Sequence, residues 1–396
     1  MDVVDRMRPW MDVLRGETPG LEVFDAHTHL GQNDPDGMSC TFEELTGGLM
    51  QAGAKGAFVF PMHEPDGYPP ANDAVLAYAR ESHGLLVPFC RVDPHDGAVA
   101  EAERCLARGA RGIKLHPRAE AFTLDHPDVR RLIAIANERR LPVLIHAGRG
   151  IPALGAHAVA LAGEFPDARL ILAHAGICDL AWIWRAAPDH PNLLFDTAWW
   201  MPADLLALYS LVPPGQILFA SDAPYGATLF SAAFMLRSAV QAGLSPAQVA
   251  SIGSEQSLRL ARGEDLSPCG PAVGERERAP HVLLDRVAEF LMLGTMASFR
   301  DGDGSEMLAL ARLGCDVPDE VDDAPVFAAI RGLLDAYEQA AAARPDDRRA
   351  FAFLILAVTV ASTPDVPIPA ACTTVRARSA PRSAAVRSAS TGRRPR

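Results

Sequence analysis

Between residues 22 and 222 the chain repeats one pattern: a short, nearly continuous apolar run, then a longer Ala- and Leu-rich stretch with helical spacing. The apolar runs predict strands at 22–27, 56–60, 85–91, 111–116, 142–147, 169–174, 192–197 and 216–221. The stretches at 41–52, 72–82, 96–108, 127–140, 153–165, 179–187, 202–210 and 229–242 predict helices. Strands apolar on both faces suit a parallel sheet covered by helices. Eight strand–helix units are what a (β/α)8 TIM barrel requires, so the fold class is α/β. A doubly wound open sheet is the rival, but the Gly-rich phosphate turn it needs after its first strand is missing. Local signals agree with the helix starts. Thr41 with Glu44 forms a capping-box pattern, and Ser245-Pro246 puts proline in a first helical turn.

The pattern divides the chain further. Residues 1–18 read as an N-terminal helical segment, 19–265 as the barrel and 266–279 as a Pro- and Gly-containing linker. Past the linker the alternation stops. Helical periodicity at 281–299, 304–313, 325–343 and 346–361 predicts a C-terminal all-α appendage over 280–363. From 364 to 396 Pro, Ser, Ala and Arg dominate, which predicts a disordered basic tail.

Charge and cysteine content narrow the function classes. The net charge is −12, and the seven arginines of residues 370–396 leave 30 basic against 49 acidic residues before them. A body this acidic disfavours nucleic acid or an anionic membrane as a partner. Seven scattered cysteines form no CxxC pair, which excludes a disulfide framework and a Cys-type zinc site. With no signal peptide visible at the start, a cytoplasmic protein is expected. The run at 350–361 is too short for a membrane span and reads as a buried helix. No Walker or dinucleotide pattern is present, so no nucleotide cofactor is expected. The sequence leaves homo-oligomer formation open.

The polar residues of interest fall at the C-terminal ends of predicted strands: Asp25-Ala-His27-Thr-His29, Lys114-Leu-His116, His146, His174 and Asp222. In a barrel those ends share the rim where active sites are built. Side chains alternate along a strand, so Asp25, His27 and His29 share a face, as do Lys114 and His116. Gathering imidazoles, a lysine and carboxylate at one mouth costs several kcal/mol without a compensating partner. A divalent cation of the Zn²⁺ type is the expected partner for nitrogen and oxygen donors of this kind.

The segments FDAHTHLG, GIKLHP, VLIHAG, LILAHAG and FASDAPYG resemble the amidohydrolase superfamily, specifically the amidohydrolase-related (amidohydrolase 2) subgroup of metal-dependent TIM-barrel hydrolases and decarboxylases. The resemblance covers roughly residues 20–265. It implies that His27, His29, His146 and Asp222 bind one divalent metal ion, zinc foremost, with manganese or a second ion as alternatives. It further implies that Asp222 is the general base, and that His174 ligates a second metal or polarises substrate and water. Lys114 would either become carboxylated and bridge two ions or grip a substrate carboxylate as an ammonium.

Near the predicted mouth, Arg118, Arg149, His116, Trp199 and Tyr225 are candidate substrate-binding residues, because cations beside flat apolar surface suit a small carboxylic acid. The leading reading is a metal-dependent hydrolase acting on a small carboxylated, lactone or amide substrate through an activated water. The alternatives are a metal-dependent decarboxylase or hydratase of an aromatic-derived acid, and a barrel that only binds a ligand.

Overall fold

The computed structural model describes residues 3–35, 37–148, 150–276, 281–300, 302–344 and 348–370. Nine parallel strands run in two hydrogen-bonded sets. The first holds β1 (Phe24–Leu30), β2 (Gly56–Pro61) and β3 (Leu86–Pro88). The second holds β4 (Cys90–Arg91), β5 (Ile113–Leu115), β6 (Pro142–Ile145), β7 (Arg169–Leu172), β8 (Leu193–Asp196) and β9 (Ile217–Leu218).

β3 and β4 flank Phe89 and together make one strand position: Phe89 N–H donates to Val59 O, while Cys90 N–H donates to Gly112 O of the next strand. The ring closes between β1 and the segment after β9, through Ala26 N–H to Phe219 O and a parallel bridge from Thr28 to Ala223. Eight strand positions result, each at one of the predicted apolar runs. The fold is a (β/α)8 barrel.

Helices α2 (Phe42–Ala52), α3 (Pro69–Glu81), α4 (Ala98–Ala107), α5 (Pro127–Arg139), α6 (Leu154–Glu164), α8 (Pro202–Leu211) and α9 (Thr228–Gln241) follow their strands as expected. Thr41 and Ser245 both close capping boxes, with Glu44 and Gln248. The sixth unit differs: of the helix predicted at 179–187 only α7 (Leu180–Ile183) and a 3-10 turn at Ala187–Asp189 form. Asp179 turns its side chain to Gly155 N–H and Trp182 Nε1–H instead of capping the helix, and Pro188 cannot donate to continue it. α10 (Pro246–Ala250), a π turn at Ser251–Glu255 and α11 (Gln256–Arg262) complete the barrel.

The N-terminal helix α1 (Val3–Glu17) and the appended helices α12 (Val282–Phe299), α13 (Ser305–Gly314), α14 (Ala324–Ala343) and α15 (Phe351–Ser362) share one apolar core with the barrel's outer helices. α9 lies between them and is buried from Thr228 to Ala239. At its centre the buried Arg237 guanidinium donates to Thr363 Oγ1 and to the carbonyls of Thr363, Val366 and Pro367. Residues 364–370, expected to belong to the tail, are therefore packed, with Val366 buried against the core. Residues 371–396 of that predicted tail lie outside the described residues. Among the described residues no helix is long and apolar enough to cross a membrane.

Candidate active site at the barrel rim

β1 carries His27 and His29 on one face, both buried. The last strand delivers Asp222 to them through backbone contacts: Asp222 N–H donates to His27 O, and His29 N–H donates to Ala223 O. Asp222 Oδ1 thus lies 3.1 Å from His27 Nε2 and 3.2 Å from His29 Nε2, and the two imidazole nitrogens are 3.1 Å apart. Asp222 and His174 both hold left-handed backbone, at φ 61° and 58°. Non-glycine residues pay for that conformation with about 1 kcal/mol or more, and such strain gathers where a side chain must be aimed.

Hydrogen-bond accounting shows what the cluster can hold. His27 Nδ1 lies 2.8 Å from Asp196 Oδ2, so Nδ1 carries a proton and, in the neutral ring, the Nε2 lone pair faces the centre. Asp196 also accepts from the backbone N–H groups of His174 and Ala198, so it aligns two strand ends at once. His174 Nδ1 donates to Ala198 O at 2.7 Å, so its Nε2 is likewise a lone pair, 2.9 Å from His146 Nδ1. The centre thus gathers imidazole nitrogens and a carboxylate, a donor set that suits a divalent cation. His27, His174 and Asp222 offer ligand atoms all within 4.8 Å of one another, a group able to hold a metal ion.

Burial acts on every titratable group here. It would raise the Asp222 carboxyl, but His27, His29 and His174 outweigh it and hold Asp222 well below the usual carboxylate range. Burial pushes His29 down to about 3 and takes His146, His116 and His174 downward as well. For His27, burial and Lys114 oppose the charged form, yet Asp222 and Asp196 prevail and the net shift is upward. Lys114, fully buried, is pushed down to about 7 by burial first and by Arg91 second. Its Nζ lies 3.4 Å from His27 Nε2 and over the Phe60 ring.

A cleft of about 480 Å³ opens onto this cluster, lined by His27, His29, Lys114, His116, Arg118, His146, His174, Asp222 and Tyr225 among others. His116 stacks on His146 with ring centroids 3.8 Å apart, and Arg118 also borders an adjoining lobe with Trp199. Tyr225 donates to Asp34, and Trp199 donates to Asp204. Arg149 lies outside the described residues.

Asp25 departs from the parity expectation. A register shift between Asp25 and Thr28 separates it from His27, and it accepts instead from Ser221 and Thr228, tying the first strand to the last. Asp34, Phe299 and Arg91, whose Nη2 pairs with buried Glu120 at 2.7 Å, also line the cleft and escaped the sequence reading. Arg91 ends a predicted strand, and its polar character there was the available signal.

Fold and rim together define an enzyme-type barrel with a polar centre at the C-terminal ends of its strands. The amidohydrolase family matches residues 24–260, and the chain belongs to that family. It is an enzyme of the amidohydrolase superfamily, whose members include hydrolases and lyases. No curated protein matches the chain. Among solved structures, an uncharacterised TIM-barrel protein of Bordetella bronchiseptica is 16% identical, with a TM-score of 0.52 over 61% of this chain and 99% of its own. A candidate amidohydrolase of Staphylococcus aureus is 15% identical, with a TM-score of 0.50 over 61% and 100%. A 2,6-dihydroxybenzoate decarboxylase from Rhizobium is 16% identical, with a TM-score of 0.48 over 61% and 99%. At these identities the likeness concerns the fold.

Proposed function

We propose that the protein is a metal-dependent hydrolase acting on a small carboxylated substrate of lactone or amide type, with Asp222 as the residue that moves the proton. The reading rests on one observation: Asp222 Oδ1 and the Nε2 atoms of His27 and His29 meet within 3.1–3.2 Å, three ligand-type atoms around one point. His27, His29, His174 and Asp222 would hold the ion, with His146 beside His174 as a further donor; zinc suits this nitrogen and carboxylate set. When bound, the ion supplies Lewis acidity, polarising a carbonyl oxygen and lowering the pKa of water toward ~7.

The chain's own groups supply the rest. Asp222, kept ionised by its imidazole neighbours, accepts a proton from the attacking water at a carboxylate oxygen and passes it to the leaving group. Asp196 fixes His27 in the tautomer that directs its lone pair inward. Lys114 and Arg118 present cationic groups to a substrate carboxylate, and the stacked His116 and His146 rings give that side of the cleft a flat wall.

The same cationic, flat-walled cleft would suit an aromatic acid that loses its carboxylate, the lyase reading. One experiment separates the two. Zinc-loaded protein is offered a panel of lactones, amides and aromatic carboxylic acids while proton, amine and carbon dioxide release are followed together. Proton release from lactones, or amine release from amides, without carbon dioxide is the expected result. Carbon dioxide from the acids alone would replace the hydrolase reading with the lyase one.

A further inference from the structure

One side chain in the cleft comes from outside the residues matched to the family. Phe299 is the last residue of α12, is 54% exposed, and lines the same cavity as His27, Lys114 and Asp222. Two aromatic neighbours hold it there. Trp200, on the loop after β8, has its ring centroid 6.4 Å away, and Phe351, at the start of α15, meets it edge-on at 6.1 Å. Tyr337 of α14 continues the contact at 6.0 Å from Phe351. A row of rings thus runs from the appended helices to the barrel rim.

The packing of α12 on α13 is also close. A Cβ on Gly304 would collide with the Gly294 carbonyl oxygen, and one on Gly294 would collide with the Leu308 side chain. α12 and α13 can pack this closely only because both positions are glycine. The end of α12 is therefore set by close backbone packing, and its terminal ring lines the cavity with about half of its surface exposed.

We propose that Phe299 is a specificity-determining residue: the helical appendage completes the substrate cleft, and Phe299 packs against a ring-sized apolar group next to the scissile bond. This rests on the cleft being the substrate site, as in the proposed function. An aromatic ring stacked or edge-on against another contributes beyond simple burial. The ring acts on binding and not on bond cleavage, so its loss raises KM and spares kcat.

Dihydrocoumarin and δ-valerolactone share a six-membered lactone and differ by one fused aromatic ring, which makes them the probes. In zinc-loaded protein the ratio of kcat/KM for dihydrocoumarin over δ-valerolactone falls about tenfold in Phe299→Ala, carried by KM, and is largely restored in Phe299→Trp. An unchanged ratio in Phe299→Ala would overturn the proposal while leaving the hydrolase reading intact. Binding of benzoate, followed by saturation-transfer NMR on the wild type and both variants, gives a readout without turnover. Benzoate binding weakened about tenfold in Phe299→Ala supports the role even if neither lactone is hydrolysed, a result that would sink the hydrolase reading alone. Equal benzoate binding in wild type and Phe299→Ala overturns the role.

Discussion

At the barrel rim and beneath α9 the fold buries ionisable side chains among very different partner sets. Arg237 carries only donors, and the chain meets them with a hydroxyl and three backbone carbonyls from residues 363–367, with the Trp10 ring beside it. Burial pushes this guanidinium down to about 9, so it stays charged at neutral pH. Four of its five N–H donors find acceptors, and its work is to fasten residues 363–367. At the rim His27, His174 and Asp222 bring ligand atoms within 4.8 Å of one another, with His27 held by Asp196 and His174 by Ala198. That set is unbalanced by design of its supports. A balanced buried charge builds structure, whereas an unbalanced one marks the place where something else binds.

The largest effect that tests this contrast is on turnover. Asp222→Asn keeps the shape of the side chain but removes the proton acceptor, and kcat/KM should fall by about 10²–10⁴-fold in steady-state assays. Circular dichroism of the same variant should match the wild type. Near-normal turnover would remove Asp222 from its role.

On the balanced side, a chain ending at Ser362 strips Arg237 of its acceptors. Each donor left buried and unmatched costs about 1–3 kcal/mol, so thermal unfolding should shift down by several degrees. A chain ending at Ala370 keeps the acceptors and should melt like the full protein. Equal midpoints for the two truncations would show that the Arg237 contacts contribute nothing.

Asp196→Asn probes the supports of the unbalanced set. With the His27 tautomer no longer fixed, zinc affinity measured by competition with a chromophoric chelator should drop about 10–100-fold. Unchanged affinity would mean that the tautomer is set elsewhere.

The smallest effect concerns Lys114. Burial pushes its ammonium down to about 7, against 10.5 for a solvated lysine, so between those values the unfolded chain binds more protons than the folded one. Stability of chelator-treated protein should therefore rise with pH there, by about 1 kcal/mol between pH 8 and 9. Lys114→Met should lose that slope in denaturant titrations. A slope retained in the variant would assign it to another group.

The barrel was legible because its strands are apolar on both faces and alternate with stretches of helical spacing, two of which, α2 and α10, open on capping boxes. The rim was legible because His27, His29, His146 and His174 interrupt or end apolar runs, where an imidazole stands out. Other features depend on contacts between distant segments that leave no local trace. Arg237 sits in an Ala- and Leu-rich helix like any surface arginine, and only the return of residues 363–367 buries it. Phe299 ends a helix after the barrel, and its place in the cleft follows from how α12 packs on α13 and α15. Asp25 shares sequence parity with His27, but a register shift turns it toward Ser221 and Thr228.

The claim on which the account turns is that a divalent cation belongs among the acceptors of the rim. Anomalous diffraction from crystals of the zinc-loaded protein tests it directly. The account predicts one strong peak within bonding distance of His27 Nε2 and an Asp222 oxygen. Zinc bound only elsewhere on the molecule, in protein that turns over substrate at full rate, would contradict it.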